Sequence, residues 1–205
     1  MPEQAPSEQQ RWETRFGAPD YLFGTEPNAF LRAQAHRLRA GQSALAVADG
    51  EGRNGVWLAE QGLDVLSIDY SVAALAKAQA LAQRRGVKLR TELADVFAWR
   101  WPRAAFDVIA AIFIFAAAAE RPAFFANLKV ALKPGGLLLM QGYRPEQLQY
   151  RTGGPSDAER LLTRAILDQD FGDMAELEIR EHDGTISEGS AHRGMSALID
   201  LVARK

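Results

Sequence analysis

The chain has 205 residues, of which 24 are Lys or Arg and 26 are Asp or Glu, so its formal net charge is −2. The chain therefore has no excess of positive charge that would attract nucleic acid or an anionic membrane, and we expect neither as a partner. The absence of cysteine excludes a disulfide scaffold, a thiolate metal site and a cysteine nucleophile, and it fits a reducing cytoplasm. We expect a cytoplasmic protein with no bound metal.

The first 40 residues precede the part of the chain in which strands and helices are predicted to alternate. MPEQAPSEQQRWETRF contains no apolar stretch, which argues against a signal peptide and favours a loose helix. The longest apolar run, 104–119, is shorter than the roughly 20 residues of a membrane span, and Asp107 interrupts it. We expect one domain over residues 1–205, in which residues 1–40 form a helical or lid segment.

From residue 45 onward, short apolar strands alternate with helices. Strands are predicted at 45–48, 65–68, 87–91, 106–113 and 137–141, and helices at 53–61, 73–85 and 121–132. KPGG, residues 133–136, has the composition of a turn. Alternation with short connections predicts a Rossmann-like α/β fold, which is a doubly wound, mostly parallel sheet.

After residue 143 the alternation stops. A helix is predicted at 155–167, and strands are predicted at 175–180 and 195–203. Only polar turn residues separate the two strands, so we expect them to pair as an antiparallel hairpin at the sheet edge.

The loop LAVADGEGRNG lies between the first predicted strand and its helix. Gly50, Gly52 and Gly55 have the G-x-G-x-x-G spacing of a dinucleotide site. Glycines admit a ligand close to the backbone, and the following helix N-terminus offers unpaired N–H groups. Asp69 ends the next strand, 20 residues after Asp49, where a carboxylate accepts ribose hydroxyls. The pattern predicts a nucleotide at the carboxyl ends of the strands, either a nicotinamide dinucleotide or S-adenosylmethionine.

Three features favour the second ligand. Ala48 and Asp49 precede Gly50, where dehydrogenases usually have Val-Gly-x-Gly. The segment LADVFAW places Asp95 after a third strand. The segment ALKPGGLLLMQGY leads into the fifth strand. From 44 to 143 this set resembles the class I S-adenosylmethionine-dependent methyltransferases. YLFGTEPNAFL and EGSAHRGMSALIDLVARK, near the two ends of the chain, resemble the tellurite-resistance (TehB-like) and thiol methyltransferase branch.

The resemblance implies S-adenosyl-L-methionine as cofactor and S-adenosyl-L-homocysteine as product. By the same resemblance, the loop glycines lie against methionine and ribose, Asp69 holds the ribose hydroxyls, and Asp95 with Val96 contacts adenine. The full set of cofactor-binding residues that it implies is Asp49, Gly50, Glu51, Gly52, Asn54, Asp69, Tyr70, Ala94, Asp95, Val96 and Ile112.

The loop departs from the common Asp-x-Gly-Cys-Gly-x-Gly of these enzymes. Ala46 occupies the position of the motif's first aspartate, Ala48 that of its first glycine, and Asp49 that of its cysteine. Two interpretations of Asp49 remain open. It contacts the cofactor's amino group, directly or through a water, or it caps the helix that begins near Arg53.

The resemblance also implies candidate catalytic residues. Tyr21 belongs to a lid over the cofactor, Tyr143 and Arg144 end the fifth strand, and His192 precedes the last strand. The aromatic residues have core packing as an alternative role, and Arg144 and His192 have a solvated surface position. Phe115 stands where relatives often carry a polar residue such as histidine, so this wall of the pocket is apolar.

Methyl transfer from a sulfonium requires alignment and desolvation of a nucleophile, and no metal or triad. Because no strong base is evident, we expect a small-molecule acceptor with a soft nucleophile, a thiol or a reduced chalcogen. An NAD-dependent oxidoreductase and a non-catalytic S-adenosylmethionine-binding module are the alternatives. The oligomeric state is open, and a monomer is the expectation.

Overall fold

The computed structural model describes residues 6–205, and within that range seven strands form a single sheet. The sheet order is β3-β2-β1-β4-β5-β7-β6. The strands are β1 Ser43–Val47, β2 Asp64–Asp69, β3 Arg90–Leu93, β4 Phe106–Ile112, β5 Leu132–Tyr143, β6 Glu176–Glu188 and β7 His192–Arg204. Strands β1 to β5 pair in parallel, and β7 pairs antiparallel with both β5 and β6. The predicted Rossmann-like sheet and its C-terminal edge hairpin are confirmed.

Helices cover both faces of this sheet. They are α1 Glu8–Phe16, α2 Ala29–Ala33, α3 Arg53–Glu60, α4 Val72–Arg85, α5 Arg121–Ala131, α6 Gln147–Tyr150 and α7 Arg164–Phe171. Helix α1 begins at a capping box between Ser7 and Gln10, and α4 begins at the Ser71 cap. Every helix within residues 6–205 is too short or too polar to cross a bilayer.

The strands are apolar on both sides because both sides are covered. On one face, Leu45 and Ile109 belong to the cluster that contains Phe125 of α5 and Phe171 of α7. On the other face, the neighbouring strand residues pack against α3 and α4. The central strands therefore form a rigid layer whose carboxyl ends are held at one edge.

Several boundaries differ from the predictions. Strand β6 runs to Glu188, eight residues beyond the predicted end at 180. KPGG does not end an element, because it forms a bulge inside β5, where the pairing shifts from Phe106–Leu132 to Val108–Leu137. The helix predicted at 155–167 is wrong. A 3₁₀ turn at Ala158–Arg160 and the separate helix α7, which the Thr163 side chain caps, replace it.

The third strand begins later than predicted, at Arg90. Gly86 adopts φ 69° at the end of α4, and the Val87 N–H then bonds to the Ala82 carbonyl. This C-terminal cap occupies the first residues of the predicted strand.

Helix α1 lies across the carboxyl ends of the strands. The Glu13 carboxylate accepts hydrogen bonds from the Ser71 hydroxyl and the Ala73 N–H at the start of α4. The Gln9 side chain donates to the Tyr70 carbonyl at 3.0 Å. The predicted N-terminal helix is present, while its action as a lid and the single-domain extent of the chain stay predictions.

Candidate cofactor site

A cavity of about 320 Å³ lies between α1 and the carboxyl ends of β1, β2 and β4. The strand order reverses here, with β2 on one side of β1 and β4 on the other, which is where open α/β sheets bind ligands. Its volume is that of a small-molecule site. Rings from the N-terminal segment close it from above, namely those of Trp12, Phe16 and Phe23.

The loop after β1 has the backbone shape of a glycine-rich loop even where glycine is absent. Ala48, at the position of the family's first glycine, adopts φ 46°, in the left-handed region that favours glycine. Gly52 has φ 86° and packs directly against Ala78 of α4. At Gly55, any side chain would collide with the Asp49 carboxylate.

Asp49 faces the N-terminus of α3. Its carboxylate accepts hydrogen bonds from the Gly55 N–H at 3.0 Å and from the Ser67 hydroxyl at 2.9 Å. Burial raises the pKa of Asp49 to about 7, although these two hydrogen bonds act in the opposite direction. These are the contacts of a helix cap. Asp49 also lines the cavity, so its contact with an amino group stays a prediction.

Asp69 joins the glycine loop to the end of β2. One carboxylate oxygen accepts from the Gly50 N–H at 2.8 Å, and the other accepts from the Ser71 N–H at 2.9 Å. Burial raises the pKa of Asp69, and these backbone hydrogen bonds oppose the rise. The predicted cofactor residues that line the cavity are Asp49, Gly50, Asn54, Asp69, Tyr70, Asp95, Val96 and Ile112.

Three predicted cofactor residues do not line the cavity, and their contact with a cofactor stays a prediction. The Glu51 carboxylate pairs with Lys77 at 2.7 Å and accepts the Leu22 N–H, so it holds the N-terminal segment. Gly52 packs directly against Ala78 of α4. Ala94 is buried, and its N–H bonds to the backbone at the end of β2.

Of the four catalytic candidates, His192 alone lines the cavity. The Tyr21 hydroxyl donates to the Lys77 carbonyl, on the outer side of α4. The Arg144 guanidinium is bonded to Asp183 and to the Leu198 carbonyl. Expectations that placed Tyr21 and Arg144 at the opening are therefore corrected, because each polar group is already bonded to a neighbouring element.

Tyr143 is fully buried behind the cavity wall. Its ring stacks on Phe113 with centroids 4.6 Å apart, and it therefore does not reach the cavity itself. Burial raises the pKa of its hydroxyl, and the charge of Glu188 adds to this effect. Tyr143 supports the wall that Phe113 forms.

Arg53 was not predicted from the sequence. It is the first residue of α3, it lines the cavity, and its Nη2 pairs with Glu188 Oε2 at 2.7 Å. A cation at the first residue of a helix opposes the helix dipole. That local conflict is the sequence signal that marks Arg53 as a functional candidate.

Three buried polar atoms have no hydrogen-bond partner within residues 6–205: Arg53 Nη1, Tyr143 Oη and His192 Nδ1. His192 Nδ1 lies 3.7 Å from Glu188 Oε2. Burial alone would raise the pKa of Glu188, but the adjacent His192 and the ion pair with Arg53 lower it to about 2. The tip of the β6–β7 hairpin, residues 188–192, thus brings a charged carboxylate to the edge of the cavity.

A second cavity, of about 440 Å³, adjoins the first. It lies between α1 and the loop 153–157, and both cavities are lined by Trp12, Phe23, Phe115, Arg160 and His192. Arg11 and Arg15 also line it. Neither of these arginines forms an ion pair with a residue in the described range 6–205.

Comparisons with known proteins agree with this architecture. The profile of the family described as "Methyltransferase domain" matches residues 44–136. Demethylmenaquinone methyltransferase of Thermus thermophilus is 31% identical over 109 residues, which cover 52% of this chain and 50% of that protein. The chain spans only 22% to 50% of the length of the curated relatives it matches.

Two solved structures share the fold. TehB from Haemophilus influenzae has a TM-score of 0.71 at 18% identity, over 96% of this chain and 66% of that one. N-methyltransferase NodS from Bradyrhizobium japonicum, in complex with S-adenosyl-L-homocysteine, has a TM-score of 0.72 at 15% identity, over 97% and 99%. Residues 44–136 therefore match the methyltransferase domain family, and the chain has the fold of these solved methyltransferases, in agreement with the resemblance drawn from its glycine loop and its LKPGGLLL segment.

Proposed function

We propose that this protein transfers a methyl group from S-adenosylmethionine to a small molecule with a soft nucleophile, a thiol or a reduced chalcogen. The observation that carries the proposal is the cavity at the strand ends, because it offers a matching group for each part of the cofactor. Asp69, Val96 and Ile112 line this cavity. In the proposal, the Asp69 carboxylate accepts the ribose hydroxyls, and Val96 with Ile112 contacts adenine. Arg53 has an unpaired buried N–H for a carboxylate.

S-adenosylmethionine supplies an electrophilic methyl group when it is bound. The chain contributes alignment and exclusion of water, which such a displacement requires. The rings of Trp12, Phe16 and Phe23 cover the cavity from the N-terminal side. Phe113 and Phe115 form an apolar wall on the acceptor side.

The second cavity is the entrance for the acceptor in this proposal. It reaches the first cavity beside His192, whose ring lies 4.5 Å from that of Phe23. Glu8 and Asp157 also line the second cavity, but both pair with Arg160, so Arg11 and Arg15 leave an excess of positive charge that favours an anionic acceptor. A thiol or selenol is partly ionised near neutral pH, so it needs no strong base, in contrast to an amine or alcohol.

The N-terminal strap, residues 21–28, is proposed to open for ligand entry. Glu51 accepts the Leu22 N–H at 2.7 Å, and the Ser190 N–H donates to the Leu22 carbonyl at 3.1 Å. The strap thereby joins the glycine loop to the hairpin tip. Hydrogen exchange should slow in this strap when S-adenosylhomocysteine binds. Equal exchange with and without ligand would identify the strap as fixed scaffold.

Equilibrium titration with S-adenosylhomocysteine and with NADH tests the cofactor. We expect binding of the first ligand only, and binding of NADH alone would establish the oxidoreductase alternative. Turnover is then measured with a thiol, a selenol, a catechol and a primary amine. Turnover of the catechol or amine without the thiol would overturn the soft-acceptor assignment, and cofactor binding without any turnover favours the non-catalytic module.

His192→Ala tests the acceptor side of the same site. We expect a rate loss of about tenfold and a changed pH profile, below the 10²–10⁴-fold that general bases contribute. An inactive variant with intact cofactor binding would instead make His192 an obligatory base. The matched control is His36→Ala, because His36 lies on the surface near α2 and bonds only to the Ala33 carbonyl.

A further inference from the structure

Arg53 presents a donor that the protein itself does not satisfy. Its side chain is 8% exposed, and its Glu188 partner is 9% exposed. Nη2 is paired with Glu188, while Nη1 is buried and lacks a partner within residues 6–205. A buried guanidinium N–H without a partner is costly, so its retention requires an explanation.

The surroundings restrict what can satisfy this donor. Arg53 lines the cavity from the first turn of α3, where the helix N-terminus also attracts negative charge. The neighbouring Asn54 is already engaged, since its Oδ1 accepts the Asn28 N–H at 3.0 Å. A small anionic group with planar oxygens is the natural ligand of a guanidinium fork.

We propose that Arg53 binds the α-carboxylate of the cofactor's methionine part, and that Glu188 is the positioning residue that holds the guanidinium for this contact. The assignment rests on the proposed function, since it presupposes that S-adenosylmethionine occupies the cavity. This contact is separate from the one that the loop lost at Ala46, where the common motif has a carboxylate that would face the cofactor's amino group.

Glu188 is built into the structure for such a role. Its Oε2 accepts from Arg53, and its Oε1 accepts from the Asn28 amide at 2.9 Å. Asn28 also donates to Gln141 of β5 at 2.7 Å, which fixes the carboxylate relative to the sheet. The guanidinium is thus held by the hairpin tip, the N-terminal strap and the sheet together.

The test uses two probes that differ only in the carboxylate: S-adenosylmethionine and decarboxylated S-adenosylmethionine. Equilibrium binding is measured without acceptor for the wild type and for the double variant Arg53→Met/Glu188→Gln. The double variant replaces the buried ion pair by neutral groups of similar size, so that no unpaired charge remains to unfold the protein. Circular dichroism and urea unfolding confirm that it is folded.

We expect the wild type to prefer S-adenosylmethionine over the decarboxylated probe by about 10- to 100-fold. In the double variant that preference should fall to within about threefold, with unchanged affinity for the decarboxylated probe. A preference retained in the double variant, or equal losses for both probes, would overturn the Arg53 assignment and leave the proposed function standing. A wild type that binds neither probe would overturn the proposed function and this assignment with it.

Discussion

Asp49 in the loop after β1 and Glu188 at the tip of the β6–β7 hairpin are two carboxylates with little exposure beside the same cavity, with opposite results. Asp49 has neutral hydrogen-bond donors and a pKa raised by burial to about 7. Glu188 has Arg53 and His192 as neighbours, which overcome burial and lower its pKa to about 2. Burial sets the cost of the charge, and the partners decide whether the charge is kept.

The largest effect is expected from the hairpin carboxylate. Glu188→Ala leaves the buried Arg53 guanidinium without its counterion, and it should cost about 3–5 kcal/mol in the free energy of unfolding. Urea denaturation at pH 7 measures it. The matched control is Arg53→Met/Glu188→Gln, which should lose clearly less. A loss below about 1 kcal/mol for Glu188→Ala would show that the pair behaves as a solvated one.

The two carboxylates should impose opposite pH dependences. The raised pKa of Asp49 means that the folded state holds its proton longer, so this contribution falls as pH rises from about 4 to about 7. The lowered pKa of Glu188 gives a contribution present above about 4.5 and lost as pH falls toward 2.

Asp49→Asn isolates the first of these effects. The amide keeps an acceptor for Gly55 and removes the titration, so the variant should gain ~2–4 kcal/mol relative to the wild type between pH 4 and pH 8. Urea unfolding at both pH values supplies the comparison. Parallel pH curves for variant and wild type would mean that Asp49 stays charged throughout.

A smaller effect is expected for ligand binding at Asp69. Asp69→Ala should weaken S-adenosylhomocysteine by about 1–3 kcal/mol, because ribose hydroxyls lose a charged acceptor and Gly50 loses its hydrogen bond. Asp69→Asn, which keeps one acceptor oxygen, should lose less. Calorimetric titration gives both values, and wild-type affinity in the alanine variant would remove Asp69 from the site.

The smallest effect concerns backbone strain in the loop. Ala48→Gly should raise the free energy of unfolding by up to about 1 kcal/mol, because φ 46° is costly for alanine and free for glycine. Ala46→Gly, two residues earlier in β1, is the matched control and should lose about 0.5–1 kcal/mol. Equal losses in the two variants would contradict left-handed strain at Ala48.

Features that follow from neighbouring residues were predictable. Asp69 at the end of β2 and the left-handed loop after β1 are each set by the residues next to them in sequence, so LAVADGEGRNG and the acidic strand end sufficed. The helix at 155–167 was predicted wrongly, because its start signal at Pro155 and Ser156 did not reveal that Leu161 and Leu162 are buried in an extended link. The leucines of this segment are buried, but its backbone is extended between a 3₁₀ turn and α7.

By itself, the sequence determined the doubly wound sheet, its antiparallel edge and the position of the cofactor loop, since these depend on local periodicity and glycine spacing. The tertiary structure alone decided which polar groups meet. Arg53 and Glu188 are 135 residues apart, yet the hairpin places them 2.7 Å from each other. The same hairpin supplies Asp183, which accepts a hydrogen bond from Arg144, so the Arg144 guanidinium does not line the cavity. Each of these charge pairs joins residues far apart in sequence, so no local pattern encodes it.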